Sequence, residues 1–178
     1  MNDGQHIPEY ARLFMEGLKE AGVSVVTALP ESLLKTVYQL CSVDNEIRYI
    51  PVTNEGEMPG ICAGTYLAGK KALMIMENSG IRQACEPLAR FAFQNSMPLV
   101  IVMSHRGELG EQNWWGHNHT QTMEPILDAL RIPFWYVREH EDVKPSIKKA
   151  FRHADGSNWP VALIFSGNCV ELPDYAKD

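Results

Sequence analysis

Four places in this 178-residue chain combine residue types suited to acid–base or anion chemistry. The first is Asn54-Glu55-Gly56-Glu57. Asn54 is a good helix N-cap, and Glu57 three residues on makes an asparagine version of the capping box. Glu57 thus has a structural task, whereas Glu55 has only the general preference for acids in a helix's first turn. On residue type alone that preference favours a structural Glu55. The second place is Asn78-Ser79-Gly80-Ile81-Arg82-Gln83, between a strand-like run and a helical one. Free backbone N–H groups in such a turn suit an anion or a polar ring. It is not a phosphate loop, and no G-x-G-x-x-G occurs in the chain.

The third place is a polar stretch at 104–121 carrying His105, Arg106, His117 and His119, with Trp114 and Trp115 beside them. Histidine titrates near neutrality and suits proton transfer. A solvent-exposed loop histidine is the plainer alternative for both His117 and His119. Gly116-His117-Asn118-His119 hints at a metal site, but no cysteine or third histidine stands at usual zinc spacing. The two tryptophans line a pocket or cover a subunit contact. The fourth place is Ser32, at the turn after an early strand, able to hydrogen-bond a carboxylate or simply to start a helix. Arg82, Arg106 and His105 are the cations suited to an anionic group, since arginine's planar fork matches such groups. A serine hydrolase is disfavoured because G-x-S-x-G is absent.

These residues need a scaffold, and hydropathy patterning supplies one. Helical spacing covers 8–21, 30–43, 54–69, 83–95, 123–130 and 143–153. Short apolar or β-branched runs at 23–29, 47–52, 72–77, 99–103, 134–137 and 161–165 read as strands. Six strands with helical crossovers predict an α/β fold: a doubly wound, mostly parallel sheet with helices on both faces. Ligands bind such sheets at the carboxyl ends of the strands. Those ends are the turns at 28–32, 53–55, 77–83, 104–119 and 165–168, where most of the unusual chemistry falls. The segment 104–121 reads as a functional loop, being too long for an ordinary connection. Gly60, Ala63, Gly64 and Ala68 share one helical face, which allows a close approach by the chain's own sheet, a subunit or a cofactor.

Bulk properties narrow the function classes. The chain is long enough for one domain, 1–178, with a real core. Its net charge of −6 offers nucleic acid or an anionic membrane no strong attraction. No apolar run reaches transmembrane length, residues 1–8 carry no apolar leader core, and only 1–5 and the residues from 174 read as tails. Four widely spaced cysteines without C-x-x-C read as reduced core thiols, which points to a cytoplasmic protein.

At residues 54–64, continuing through Tyr66-Leu67-Ala68-Gly69-Lys70-Lys71, the chain resembles the pyrimidine-binding domain of thiamine-diphosphate enzymes. It is most similar there to phosphonopyruvate decarboxylases and to the alpha subunit of sulfopyruvate decarboxylase. Leu29-Pro30-Glu31-Ser32-Leu33-Leu34, Glu77-Asn78-Ser79-Gly80, Ser104-His105-Arg106-Gly107-Glu108 and Leu127-Asp128-Ala129-Leu130 with Ile132-Pro133 agree with the family in order. The resemblance covers nearly the whole chain. Two departures stand out. The family's Gly-Asp-Gly and Asn-Asn, which hold magnesium and the diphosphate, have no match here. Arg82 stands where the family's Asn-Ser-Gly-x-Gly-Asn turn has glycine.

The resemblance implies a 2-oxo-acid decarboxylase acting on sulfopyruvate, phosphonopyruvate or a similar anionic substrate, with thiamine diphosphate as cofactor. It implies a hetero-oligomer in which a beta-type subunit supplies the diphosphate-binding domain and Mg2+, this chain providing no metal ligand. It assigns Glu55 to N1′ of the aminopyrimidine, where a buried acid of raised pKa is expected. Pro30, Asn78, Ser79 and Gly80 fall to the cofactor, His117 and then His119 to proton transfer, and Ser32, Arg82, His105 and Arg106 to the substrate. A carboligase with the same cofactor, a non-catalytic regulatory or scaffold subunit, and a flavodoxin-like binding module are the competing readings.

Overall fold

The computed structural model describes residues 7–171. The tails expected at 1–5 and from 174 lie outside the described residues. Six strands are present: β1 (Val23–Ala28), β2 (Arg48–Pro51), β3 (Lys71–Glu77), β4 (Val100–Ser104), β5 (Phe134–Val137) and β6 (Val161–Phe165). Six helices alternate with them: α1 (Glu9–Ala21), α2 (Lys35–Val43), α3 (Met58–Leu67), α4 (Ile81–Asn95), α5 (Trp114–Ala129) and α6 (His140–Ser157). The sheet order is β2-β1-β3-β4-β6-β5, and every pairing is parallel.

Because strand side chains alternate between faces, the central strands feed two separate cores. Leu73 and Ile75 of β3 join Phe14, Val37 and Ile147 under α1, α2 and α6. Met74 and Met76 join Met58, Ile81, Leu88, Met123 and Leu127 under α3, α4 and α5. Each such side chain, fully buried, contributes about 1.5–3 kcal/mol. Burial on both faces explains why the strands read as unbroken apolar runs. Beside β1 the chain winds to β2 on one side and to β3 on the other. That reversal opens a crevice at the carboxyl ends.

Several boundaries differ from the sequence expectation, each for a visible reason. The helix expected from 30 begins at Lys35. The Glu31 carboxylate accepts the N–H groups of Leu33 (2.5 Å) and Leu34 (2.9 Å), which holds 30–34 as a turn. Asn54 does cap its turn, its Oδ1 accepting the Gly56 N–H at 2.7 Å. Glu57 does not complete a capping box, because its carboxylate takes the Thr53 hydroxyl at 2.8 Å. A 3-10 turn at Glu55–Glu57 results, ahead of α3. The largest difference lies at 104–121, where α5 already starts at Trp114, so His117 and His119 are helical rather than on a loop. What remains of the loop turns at Gly107 (φ +94°), where a Cβ would meet the Gly116 carbonyl oxygen at 2.5 Å. The small residues Gly60 and Gly64 of α3 do not pack on the chain's own sheet, since a Cβ added at either meets nothing within 4 Å.

Candidate active site

Glu55 opens the 3-10 turn after β2. Its side chain lies against Gly80, where a Cβ would sit 2.6 Å from Glu55 Cγ and 2.9 Å from its Oε1. Only glycine leaves room for the acid there. Among the described residues no side chain pairs with the Glu55 carboxylate. It is half-buried rather than buried as expected, because β2 is an edge strand and leaves one side of the turn open.

On the far side of Gly80 the ends of β1, β3 and β4 converge. Asn78 and Arg106 clamp the last two of these together: Asn78 Nδ2 donates to the Arg106 carbonyl (2.9 Å) and the Arg106 N–H donates to Asn78 Oδ1 (3.2 Å). The Arg106 guanidinium, 6% exposed, donates from Nη2 to Ser32 Oγ at 2.9 Å. Its Nε lies 3.5 Å from Glu77 Oε2, and its Nη1 lies 3.7 Å from Glu111 Oε2. It also sits over the Trp115 ring at 5.1 Å. Burial pushes the Glu111 carboxyl up, but hydrogen bonds from Asn113, the charge of Arg106 and the Gly107 N–H outweigh it and leave it below the usual range. Arg106 therefore cross-links the strand ends and the entry to α5.

His119 belongs to the same cluster. Its Nδ1 lies 2.9 Å from Glu77 Oε1, which also accepts the Ser79 hydroxyl at 3.1 Å. Trp115, one turn earlier, covers the imidazole at 5.2 Å between ring centres. Burial lowers the His119 pKa most; Glu77 raises it, Arg82 and Arg106 lower it, and the balance falls below the ordinary value. Arg82 is exposed at the first turn of α4, its Nε donating to the Ser79 carbonyl at 3.3 Å. Pro30 is exposed in the turn after β1.

The structure separates other residues that the sequence grouped. His105 and Arg106 are consecutive just past β4, but their side chains meet different partners. His105 faces away, with Nε2 2.9 Å from Thr120 Oγ1, Nδ1 3.4 Å from Glu108 Oε1 and its ring edge-on to Tyr136. His117 and His119, two residues apart on a helix, diverge by about 200°, and His117 is exposed. That divergence undoes the metal reading of the pair. Among the described residues no three His, Cys, Asp or Glu side chains are grouped to hold a metal ion.

Three residues enter the cluster without having been given a role, Glu31, Glu77 and Glu111, and Trp115, one of the two tryptophans expected at a pocket or a subunit contact, lies in it as well. Glu31 is half-buried beside Ser32; desolvation pushes its carboxyl up, against hydrogen bonds from Leu33 and Leu34 and with Glu77 adding to the rise. Two signals were legible: an acid ending the apolar run 72–76, and Trp115 four residues before His119. A groove lies elsewhere, between β5 and α6, lined by Trp135, Tyr136, Ser146, Lys149, Arg152 and His153. It holds none of Glu55, Glu77, Arg106 or His119.

Comparison with known proteins gives the cluster a context. The family described as thiamine pyrophosphate enzyme, N-terminal TPP binding domain, matches residues 8–131. The sulfopyruvate decarboxylase subunit alpha of Methanocaldococcus jannaschii is 35% identical over 148 residues, covering 83% of this chain and 88% of that protein. The phosphonopyruvate decarboxylase of Streptomyces hygroscopicus is 32% identical over 99 residues, 56% of this chain and 25% of that one. Among solved structures, benzoylformate decarboxylase from Polynucleobacter necessarius superposes with a TM-score of 0.67 at 18% identity, over 94% of this chain and 32% of that enzyme. At that identity the likeness shows the fold.

Proposed function

This chain belongs to the thiamine pyrophosphate enzymes, matching their N-terminal cofactor-binding domain, and we propose that it is the alpha-type subunit of a 2-oxo-acid decarboxylase. Its substrate in this reading is an anionic 3-substituted pyruvate such as sulfopyruvate or phosphonopyruvate, released as CO2 and an aldehyde. Similarity over most of the length of a sulfopyruvate decarboxylase subunit alpha supports this choice. The chain acts as a single pyrimidine-binding domain, 1–178. A beta-type partner subunit holds the diphosphate and Mg2+. Four free cysteines, three of them buried, speak for a cytoplasmic location. Among the described residues no helix is long and apolar enough to cross a membrane.

The residues present fit the cofactor, since Glu55 and Gly80 form a cradle that any Cβ at position 80 would fill. When bound, thiamine diphosphate (thiamine pyrophosphate) supplies the electron sink that loss of CO2 requires and that no side chain provides. Glu55 would hold N1′ of the aminopyrimidine, and Pro30, Asn78, Ser79 and Gly80 would line the ring's place. His119 moves the proton at the substrate carbon. Arg82, exposed at the mouth of the cluster, pairs with the anionic 3-substituent. Ser32 Oγ accepts from Arg106, which leaves its own O–H to donate to the substrate carboxylate. Buried Arg106 and the averted His105 support the site rather than contact substrate, and exposed His117 takes no part.

The observation that carries this reading is the Glu55 carboxylate resting on Gly80 without a partner side chain among the described residues. The test is CO2 release from sulfopyruvate and phosphonopyruvate by this chain co-expressed with its partner, with and without thiamine diphosphate and Mg2+. Cofactor-dependent release is expected, with Glu55→Gln reducing it by at least about 10²-fold. Near-normal turnover by that variant would sink the proposal.

A further inference from the structure

We propose that Glu77 is the positioning residue for His119: its carboxylate faces Nδ1 as the acceptor for an Nδ1–H donor, fixes the tautomer with the neutral proton on Nδ1, and leaves Nε2 as the atom that exchanges a proton with substrate. The substrate step rests on the decarboxylase reading; the tautomer does not.

The geometry is specific to Glu77. Its Oε1 lies 2.9 Å from His119 Nδ1 and accepts the Ser79 hydroxyl at 3.1 Å, while Oε2 faces Arg106 Nε at 3.5 Å. Three partners thus restrain one carboxylate. The Asn78–Arg106 clamp fixes the backbone beside it. Trp115 covers the ring from one turn earlier on α5. The imidazole is rotated off the line of a well-aligned hydrogen bond, as is common before substrate is seated. A neutral imidazole left to water prefers its proton on Nε2, which would present the wrong atom to an incoming proton. A carboxylate partner at Nδ1 reverses that preference and sets the ring's orientation, as it does for other working histidines. The charged groups facing His119 are Glu77 at the end of β3, Arg82 on α4 and Arg106 after β4. Glu77 is the acid among them and opposes the two arginines.

The test is histidine-labelled 15N NMR on the full chain, which reads the proton on each ring nitrogen directly. The His119 signals are assigned by their loss in His119→Asn. Wild type is expected to carry its neutral proton on Nδ1. Glu77→Gln keeps an oxygen acceptor of the same shape, so the tautomer is retained while the ring titrates at lower pH than in wild type. Glu77→Leu is expected to move the proton to Nε2 and, in the complex with its partner, to reduce kcat by about 10²-fold with KM little changed. Backbone amide spectra establish that each variant is folded. A wild-type proton on Nε2, or a tautomer indifferent to Glu77→Gln and Glu77→Leu alike, overturns the proposal. A Glu77-dependent tautomer in a complex that releases CO2 from no 2-oxo acid leaves the positioning role standing and removes the decarboxylase reading.

Discussion

Glu55 and Glu77 both border the Asn78-Ser79-Gly80 turn, Glu55 at Gly80 and Glu77 at Ser79, and the fold treats them in opposite ways. Glu77 is tied by Ser79, Arg106 and His119, all from its own chain. Glu55 touches Gly80 and, among the described residues, has no partner side chain. Glu77 ends a central strand, whereas Glu55 follows an edge strand, and both are half-buried. One acid is therefore tied within the strand-end cluster, and the other has no side-chain partner among the described residues.

That contrast can be broken most sharply by exchanging each acid. Glu55→Gln is expected to remove CO2 release while leaving the urea midpoint unchanged. Glu77→Leu is expected to lower stability by about 1–3 kcal/mol as well, since it leaves buried polar partners unsatisfied; equal midpoints for the two variants would erase the distinction. Gly80→Ala comes next. Its methyl group collides with Glu55, so turnover should fall at least about tenfold, with a stability cost of about 1–3 kcal/mol for overpacking. Wild-type activity in that variant would mean that Glu55 is not held against the turn. Arg82→Gln should raise KM for the anionic substrate about tenfold and leave stability within about 0.5 kcal/mol. A loss confined to kcat would move Arg82 from substrate binding to support of His119. His117→Asn is the smallest perturbation: kcat should stay within about twofold of wild type, as an exposed residue on the far face of α5 requires.

The strands were the most legible elements because each is an apolar run of strand length. β5 and β6 lie at the predicted residues, and the other four within one residue at each end. The helix beginning at Trp114 was not legible. Gly116, Asn118 and two histidines are poor helix formers, and the register that holds them comes from Gly116, Thr120, Met123 and Leu127 facing inward. Tertiary packing overrode propensity there, and with it the expectation of a functional loop. Glu57 was credited with a capping box because its spacing fits, but the Thr53 hydroxyl competed for it.

The sequence by itself determined the doubly wound parallel sheet, the strand ends as the place where unusual residues gather, and Glu55 with the Asn78-Ser79-Gly80 turn as parts of one site. Those properties follow from local periodicity and from motifs read along the chain. Only the tertiary structure decided which of two near-identical neighbours lies in the strand-end cluster. His119 faces the cluster and His117 does not; Arg106 is buried and His105 points away; Glu77 is tied and Glu55 is not. Each choice depends on the direction a side chain takes from its helix or strand, and on what distant segments bring to meet it.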